Sequence, residues 1–163
     1  MKPFIAIALC CGMAFAQNVT ISENGQSKHI IVIPDQPQTV LKTAAKELAD
    51  HLKLVTGTQL PVVEASKRPA DTSAFVIAPM DGKPDEIAID FNDNDILLRG
   101  QMPRGPLYAV YTFLEDYVGI RWWTATESTI PHKPSLTVAA KPHHYAPSIN
   151  YFFSIYGNYI WIT

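Results

Sequence analysis

Arg104-Gly-Pro-Leu-Tyr-Ala-Val-Tyr-Thr-Phe-Leu-Glu-Asp-Tyr-Val-Gly-Ile-Arg-Trp-Trp123 runs an amphipathic helix directly into an aromatic strand. Pro106 sits where a helix tolerates proline, in the first turn, whose N–H groups have no intrahelical partner. Leu107, Val110, Tyr111, Leu114 and Val118 recur at the spacing of one helical face, and Gly119 supplies a stop. The spacing predicts a helix from about Pro106 that buries these five residues, followed at once by a strand over 120–123.

Working back toward the N-terminus, Leu41, Ala44, Ala45, Leu48, Leu52 and Val55 repeat the helical period after the breaker Pro34-Asp-Gln-Pro37, and Gly57 ends it. Glu86-Ile-Ala-Ile-Asp-Phe91 alternates, turns at Asn92-Asp-Asn94 and returns as Asp95-Ile-Leu-Leu-Arg99, which predicts a hairpin with Ile87, Ile89 and Phe91 facing the core. Leu60-Pro-Val-Val63 and Ala74-Phe-Val-Ile-Ala78 are short apolar runs of strand type. Val19-Thr-Ile-Ser and His29-Ile-Ile-Val-Ile33 flank Asn24-Gly25, the dipeptide of a tight turn, and predict a first hairpin. Ser135-Leu-Thr-Val138 reads as a last edge strand, and His143-His-Tyr-Ala-Pro147 as a linker. The expected fold is α+β, a mixed β-sheet with two main helices packed on it, because the helices alternate with hairpins and not with single parallel strands.

The first residues predict export. Lys2 precedes the apolar run Phe4-Ile-Ala-Ile-Ala-Leu-Cys-Cys, and Ala14-Phe15-Ala16 is a small-x-small cleavage pattern, so residues 1–16 are read as a signal peptide and Gln17 as the mature start. The apolar run falls short of the roughly 20 residues needed to span a bilayer. Cys10 follows Leu9 and Cys11 follows Cys10, against the small residue that a lipidated cysteine requires. Both cysteines leave with the signal, and with them any thiol chemistry. Removing 16 of 163 residues leaves 147, one ordinary domain, with 12 basic residues scattered among 15 acidic ones. That balance argues against nucleic acid and anionic membranes as partners. From 148 to 163 the chain crowds Tyr151-Phe-Phe, Ile155-Tyr156 and Tyr159-Ile-Trp-Ile162, which reads as the start of a following domain or as a strand completing this one.

Candidate chemistry is sparse. Glycoside hydrolysis needs two carboxyl groups about 5–10 Å apart. Glu115 and Asp116 project in different directions from a helix, and Asp90, Asp93 and Asp95 surround a turn where aspartates cap their own backbone. His143 and His144 are adjacent and point to opposite sides of an extended segment, no His-Glu-x-x-His occurs, and no metal or other cofactor is expected. Gly-x-Ser-x-Gly and a phosphate-cradling glycine loop are absent. Arg104 and Glu115 are a candidate ion pair. Arg121, Trp122 and Trp123 are the carbohydrate-proximal candidates: an indole face stacks on a sugar ring, and an arginine pairs with a uronate carboxylate. On a strand the two tryptophans face opposite sides, so one is core and the other contacts either sugar or a neighbouring domain.

Thr56-Gly57 with Leu60-Pro61, Arg104-Gly105, Phe113-Leu-Glu115, Gly119-Ile-Arg-Trp-Trp123 and Ile130-Pro131 together resemble the domain that precedes the catalytic barrel in family 67 alpha-glucuronidases and related glycoside hydrolases. The resemblance covers roughly 19–147. Such a domain is similar to the second domain of beta-hexosaminidases, which precedes a TIM barrel and supplies no catalytic carboxylate. It implies a non-catalytic accessory domain of an exported hydrolase acting in polysaccharide breakdown, in the periplasm or outside the cell, with a C-terminal barrel as partner. A free-standing carbohydrate-binding or scaffold module is the alternative, and the glycan is left open.

Overall fold

The structure, a computed structural model, describes residues 17–93 and 95–148. The signal-peptide reading of 1–16, and nearly all of the apolar segment expected to open a following domain, lie outside the described residues. The described chain forms β1 (Asn18–Ser22), β2 (Ile30–Ile33), α1 (Thr39–Thr56), β3 (Val62–Glu64), a 3₁₀ turn (Ala65–Lys67), β4 (Ala74–Met80), β5 (Ile87–Asn92) and β6 (Asp95–Gln101). It continues with α2 (Gly105–Phe113), a π-helical turn (Leu114–Val118), β7 (Arg121–Trp122), β8 (Ser128–Thr129), β9 (Leu136–Ala139) and β10 (His143–Tyr145). No described helix is long and apolar enough to cross a membrane.

Six strands make the main sheet in the order β10-β5-β6-β4-β2-β3. β5 pairs antiparallel with β6 and β10, while β2–β3, β2–β4 and β4–β6 are parallel. The fold is therefore the expected α+β arrangement, a mixed sheet carrying two helices. α1 explains part of the parallel half, because a parallel neighbour needs a long crossover and α1 supplies one between β2 and β3.

Both helices lie on one face of the sheet. Ile31, Phe75, Ile77, Ile89, Ile96 and Leu98 point into that layer and meet the buried α1 stripe, which contains all six residues picked out by its spacing. Ile30, Val32 and Ala74 gather with Val63 and Val76 in a smaller cluster of their own. Gly57 and Gly119 close the two helical segments at φ 81° and 93°, conformations that side chains with a Cβ disfavour. Lys133 joins those ends: its N–H donates to the Val55 carbonyl at 2.7 Å and its Nζ to the Val118 carbonyl at 2.9 Å.

Several expectations are corrected. Asn24 and Gly25 do form a tight turn, with Glu23 and Gln26 exchanging backbone hydrogen bonds of 2.8 and 2.9 Å, but no hairpin follows. β1 pairs instead with β9, and β2 is inserted between β3 and β4. The reason is visible in β2, whose four residues are all buried: an apolar run of that kind suits a central strand covered on both faces. Consequently the 135–138 segment pairs in a two-stranded ribbon outside the main sheet, and the supposed linker at 143–147 provides its true edge strand, β10. The strand expected over 120–123 shrinks to β7, paired with β8 in a two-stranded ribbon. In the second helix Ala109 and Phe113 are fully buried, whereas Leu107 and Tyr111 are half-buried, so the core-facing stripe is rotated slightly from the expected one.

Candidate functional site

Arg121, Trp122 and Trp123 diverge. Arg121 extends an exposed guanidinium back over the end of the preceding helical turn, where Nη1 donates to the carbonyls of Glu115 at 2.7 Å and Ile120 at 3.0 Å. A cation there satisfies carbonyls that the helix end leaves free. Trp122 turns inward and is half-buried, edge-on to Tyr111 at 5.2 Å and to His51 at 5.6 Å between ring centroids. Trp123 turns outward, 67% exposed, and its indole N–H donates to the Thr129 hydroxyl at 3.0 Å.

Trp122 belongs to a polar and aromatic cluster between the helices. The Tyr111 hydroxyl donates to the Glu47 carboxylate at 3.0 Å, and His51 Nδ1 lies 2.8 Å from the Glu47 carbonyl oxygen, which makes that nitrogen the donor. Burial, and after it the hydrogen bond to Glu47 and its charge, raises the Tyr111 phenol above its ordinary pKa.

On the solvent side of this cluster runs an open groove of about 480 Å³. Tyr108, Tyr111 and Glu115 enter it from α2 and the following turn, Trp122 from β7, Tyr145 from β10, and Asp85 from the loop before β5. Tyr108 and Tyr145 are 41% and 55% exposed, large for rings that line a concavity. Asp85 is clamped by Arg104, whose Nε and Nη2 donate to its two oxygens at 3.0 and 2.6 Å. This replaces the expected Arg104–Glu115 pair. Eleven positions along a helix separate those residues by about 16 Å, beyond side-chain reach. Glu115 instead stands 3.5 Å from Arg121.

The structure thus brings Trp122 and Glu115 into one groove but leaves Arg121 and Trp123 out of its lining. Sequence reasoning missed Tyr108, Tyr145 and Asp85. Tyr108, Tyr111 and Glu115 do share one helical face by their spacing, which is the signal that would have found two of the walls.

Asp90 and Asp95, expected to cap their own turn, instead bind side chains and a distant strand. Asp95 accepts both terminal nitrogens of Arg68 at 2.8 Å and the Ala74 N–H at 2.9 Å. Asp90 is held by Arg99 and by His144, whose Nε2 is 2.6 Å away. Burial pushes the Asp90 carboxyl up, but the hydrogen bonds from His144 and Arg99 outweigh it and hold the group below the usual carboxylate range. Among the described residues no three or more His, Cys, Asp or Glu side chains are grouped to hold a metal ion.

No protein-family model and no curated protein sequence matches the chain. Solved structures do. The GH20 beta-N-acetylhexosaminidase from Streptomyces coelicolor A3(2) superposes with a TM-score of 0.55 at 16% identity, over 83% of this chain and 26% of that one. A mutant Streptomyces plicatus beta-hexosaminidase in complex with the product GlcNAc gives 0.54 at 15% identity, over 83% and 24%. A family GH115 4-O-methyl-alpha-glucuronidase with specificity for decorated arabinogalactans gives 0.54 at 14%, over 77% and 18%. The chain therefore shares the fold of a domain found in glycoside hydrolases, and it spans about a quarter or less of those chains.

Proposed function

We propose that this chain is the non-catalytic N-terminal accessory domain of an exported glycoside hydrolase that acts in polysaccharide breakdown, with a catalytic barrel following it and an alpha-glucuronidase as the parent activity. One observation carries the reading: the fold likeness takes in 83% of this chain but only 24% to 26% of two hexosaminidases, the proportion expected of one domain beside a larger catalytic one. The carboxylates agree with it. Asp85, Asp90 and Asp95 are each occupied by an arginine, which makes them fixed acceptors and not proton donors for a leaving group. The test is to offer the purified chain a panel of aryl glycosides, glucuronides included. No turnover is expected, and hydrolysis that disappears in Glu115→Gln would place a catalytic acid here and end the accessory reading.

Export and the cleaved signal belong to the same proposal, supported by the charged, apolar and small-residue succession of 1–16. Sequencing the N-terminus of the protein recovered from the periplasm or medium should begin at Gln17. A second reading, a free-standing carbohydrate-binding module, is favoured by the exposed rings of Tyr108 and Tyr145 in the groove.

A further inference from the structure

We infer that the groove between α2, β7 and β10 is a binding site for a neutral pyranose ring of a glycan. The inference rests on the carbohydrate-linked reading above and adds the site and the charge class of its ligand. Tyr108 from α2 and Tyr145 from β10 both line the groove and keep exposed surface, while Trp122 forms part of its wall. Such rings take up the C–H faces of a sugar, which are apolar, and leave its hydroxyls for polar neighbours. Those neighbours are present: Asp85 and Glu115 offer carboxylate oxygens, acceptors suited to sugar hydroxyls. The space, about 480 Å³, lies within the range of small-molecule sites.

The wall is also prepared in advance. Trp122 is wedged edge-on between His51 and Tyr111, and Tyr111 is tied to Glu47, so the inner surface needs little ordering on binding. Asp85 is held in place by the two hydrogen bonds from Arg104, and Arg104 itself stacks over the Tyr108 ring at 5.9 Å.

Charge selects among sugars. Among the described residues the lining holds two carboxylates and no lysine, arginine or histidine. Arg104 is committed to Asp85, and Arg121 to the Glu115 and Ile120 carbonyls and the Glu115 side chain. Both carboxylates are thus already paired with arginines, and a uronate entering here finds no uncommitted cation to offset its desolvation, so the groove recognises a neutral unit, and the acidic sugar of an alpha-glucuronidase substrate is not its ligand.

The full chain, titrated with the neutral tetrasaccharides of xylose, glucose and N-acetylglucosamine and followed by tryptophan fluorescence and saturation-transfer NMR, should bind at least one of them. Tyr108→Ala and Tyr145→Ala should each weaken it about 3- to 10-fold with an unchanged circular dichroism spectrum, and Trp123→Ala should leave it intact. Glucuronic acid should bind no more tightly than glucose. Absence of binding by all three probes, binding untouched by both tyrosine variants, or preference for glucuronic acid or for a methylammonium ion would each overturn the site. None of these results bears on catalysis, so a chain that is inert toward aryl glycosides and blind to neutral sugars keeps the accessory role and loses the groove.

Discussion

Gly100 and Gly105 touch backbone to backbone where β6 hands over to α2. A Cβ built on Gly100 would lie 2.1 Å from the Gly105 carbonyl carbon, and one built on Gly105 would lie 2.7 Å from the carbonyl carbon of Gly100. Neither neighbour is a flexible side chain that could swing away, so the helix start and the strand end can be this close only if both residues lack a side chain. Since the same junction sets where Tyr108 and Tyr111 emerge, it fixes the groove as well as the fold. Gly100→Ala should destabilise the protein by about 2 kcal/mol or more, an overpacking cost, seen as a lower denaturation midpoint in urea. A midpoint within error of the parent's would show that the junction is looser than the structure has it.

Arg68 and Asp95 tie the long loop before β4 to the first residue of β6. Asp95 receives three hydrogen bonds, two from Arg68 and one from the Ala74 N–H, while Arg68 also donates to the Thr72 carbonyl at 2.6 Å. Removing the carboxylate leaves a part-buried guanidinium and a backbone donor without their acceptor. Asp95→Ala should therefore cost about 2 kcal/mol, while breaking the exposed pair Lys46–Asp50 should cost far less. Thermal melts of Asp95→Ala and Asp50→Ala side by side check the contrast.

These two contacts also mark the limits of reading the chain from its letters. α1 was legible because six apolar residues keep one phase through about four turns, and the β5–β6 hairpin because its pairing partners lie on either side of a turn. The pairing of β1 was not, since the partner of Thr20 is Thr137, and nothing local to either residue encodes the other. β10 was hidden for a different reason: three residues of polar and aromatic type have no alternation of their own, and the sheet edge on β5 supplies their conformation. The groove needs both kinds of information. Trp122 and Glu115 could be singled out from one helix–strand segment, but Tyr145 enters through β10 and Asp85 through a loop fastened by Arg104, so the site exists only once the long-range pairings are made.

Tyr111 and Glu47 form the polar link between the helices. The phenol is half-buried and its pKa raised, so protonated Tyr111 stabilises the fold fully below the ordinary tyrosine value, about 10, and that contribution is lost as pH climbs through the higher folded value. Tyr111→Phe keeps the ring against Trp122 and deletes only the hydroxyl. It should lower stability by about 1 kcal/mol at pH 7 and flatten the alkaline end of the stability profile, with tryptophan emission little changed. An unaltered alkaline limb would assign that loss to other groups.

Asp90 gives the acid end its counterpart. The groups that face it are Arg99 from β6, His144 from β10 and the Tyr117 phenol from the π-helical turn, and the first two hold its carboxyl below the ordinary value despite burial. A depressed folded pKa means that the contribution to stability is complete above the unfolded value, about 4, and disappears as pH falls through the folded one. Asp90→Asn should thus lose stability at pH 6 but converge on the parent below pH 4, in urea titrations repeated at each pH. Because His144 carries the pairing from the short edge strand, the same substitution should speed amide exchange in 143–145 more than in β6. Parallel stability profiles for parent and variant through the acid range would mean that the His144–Asp90–Arg99 contacts do not set the protein's acid sensitivity.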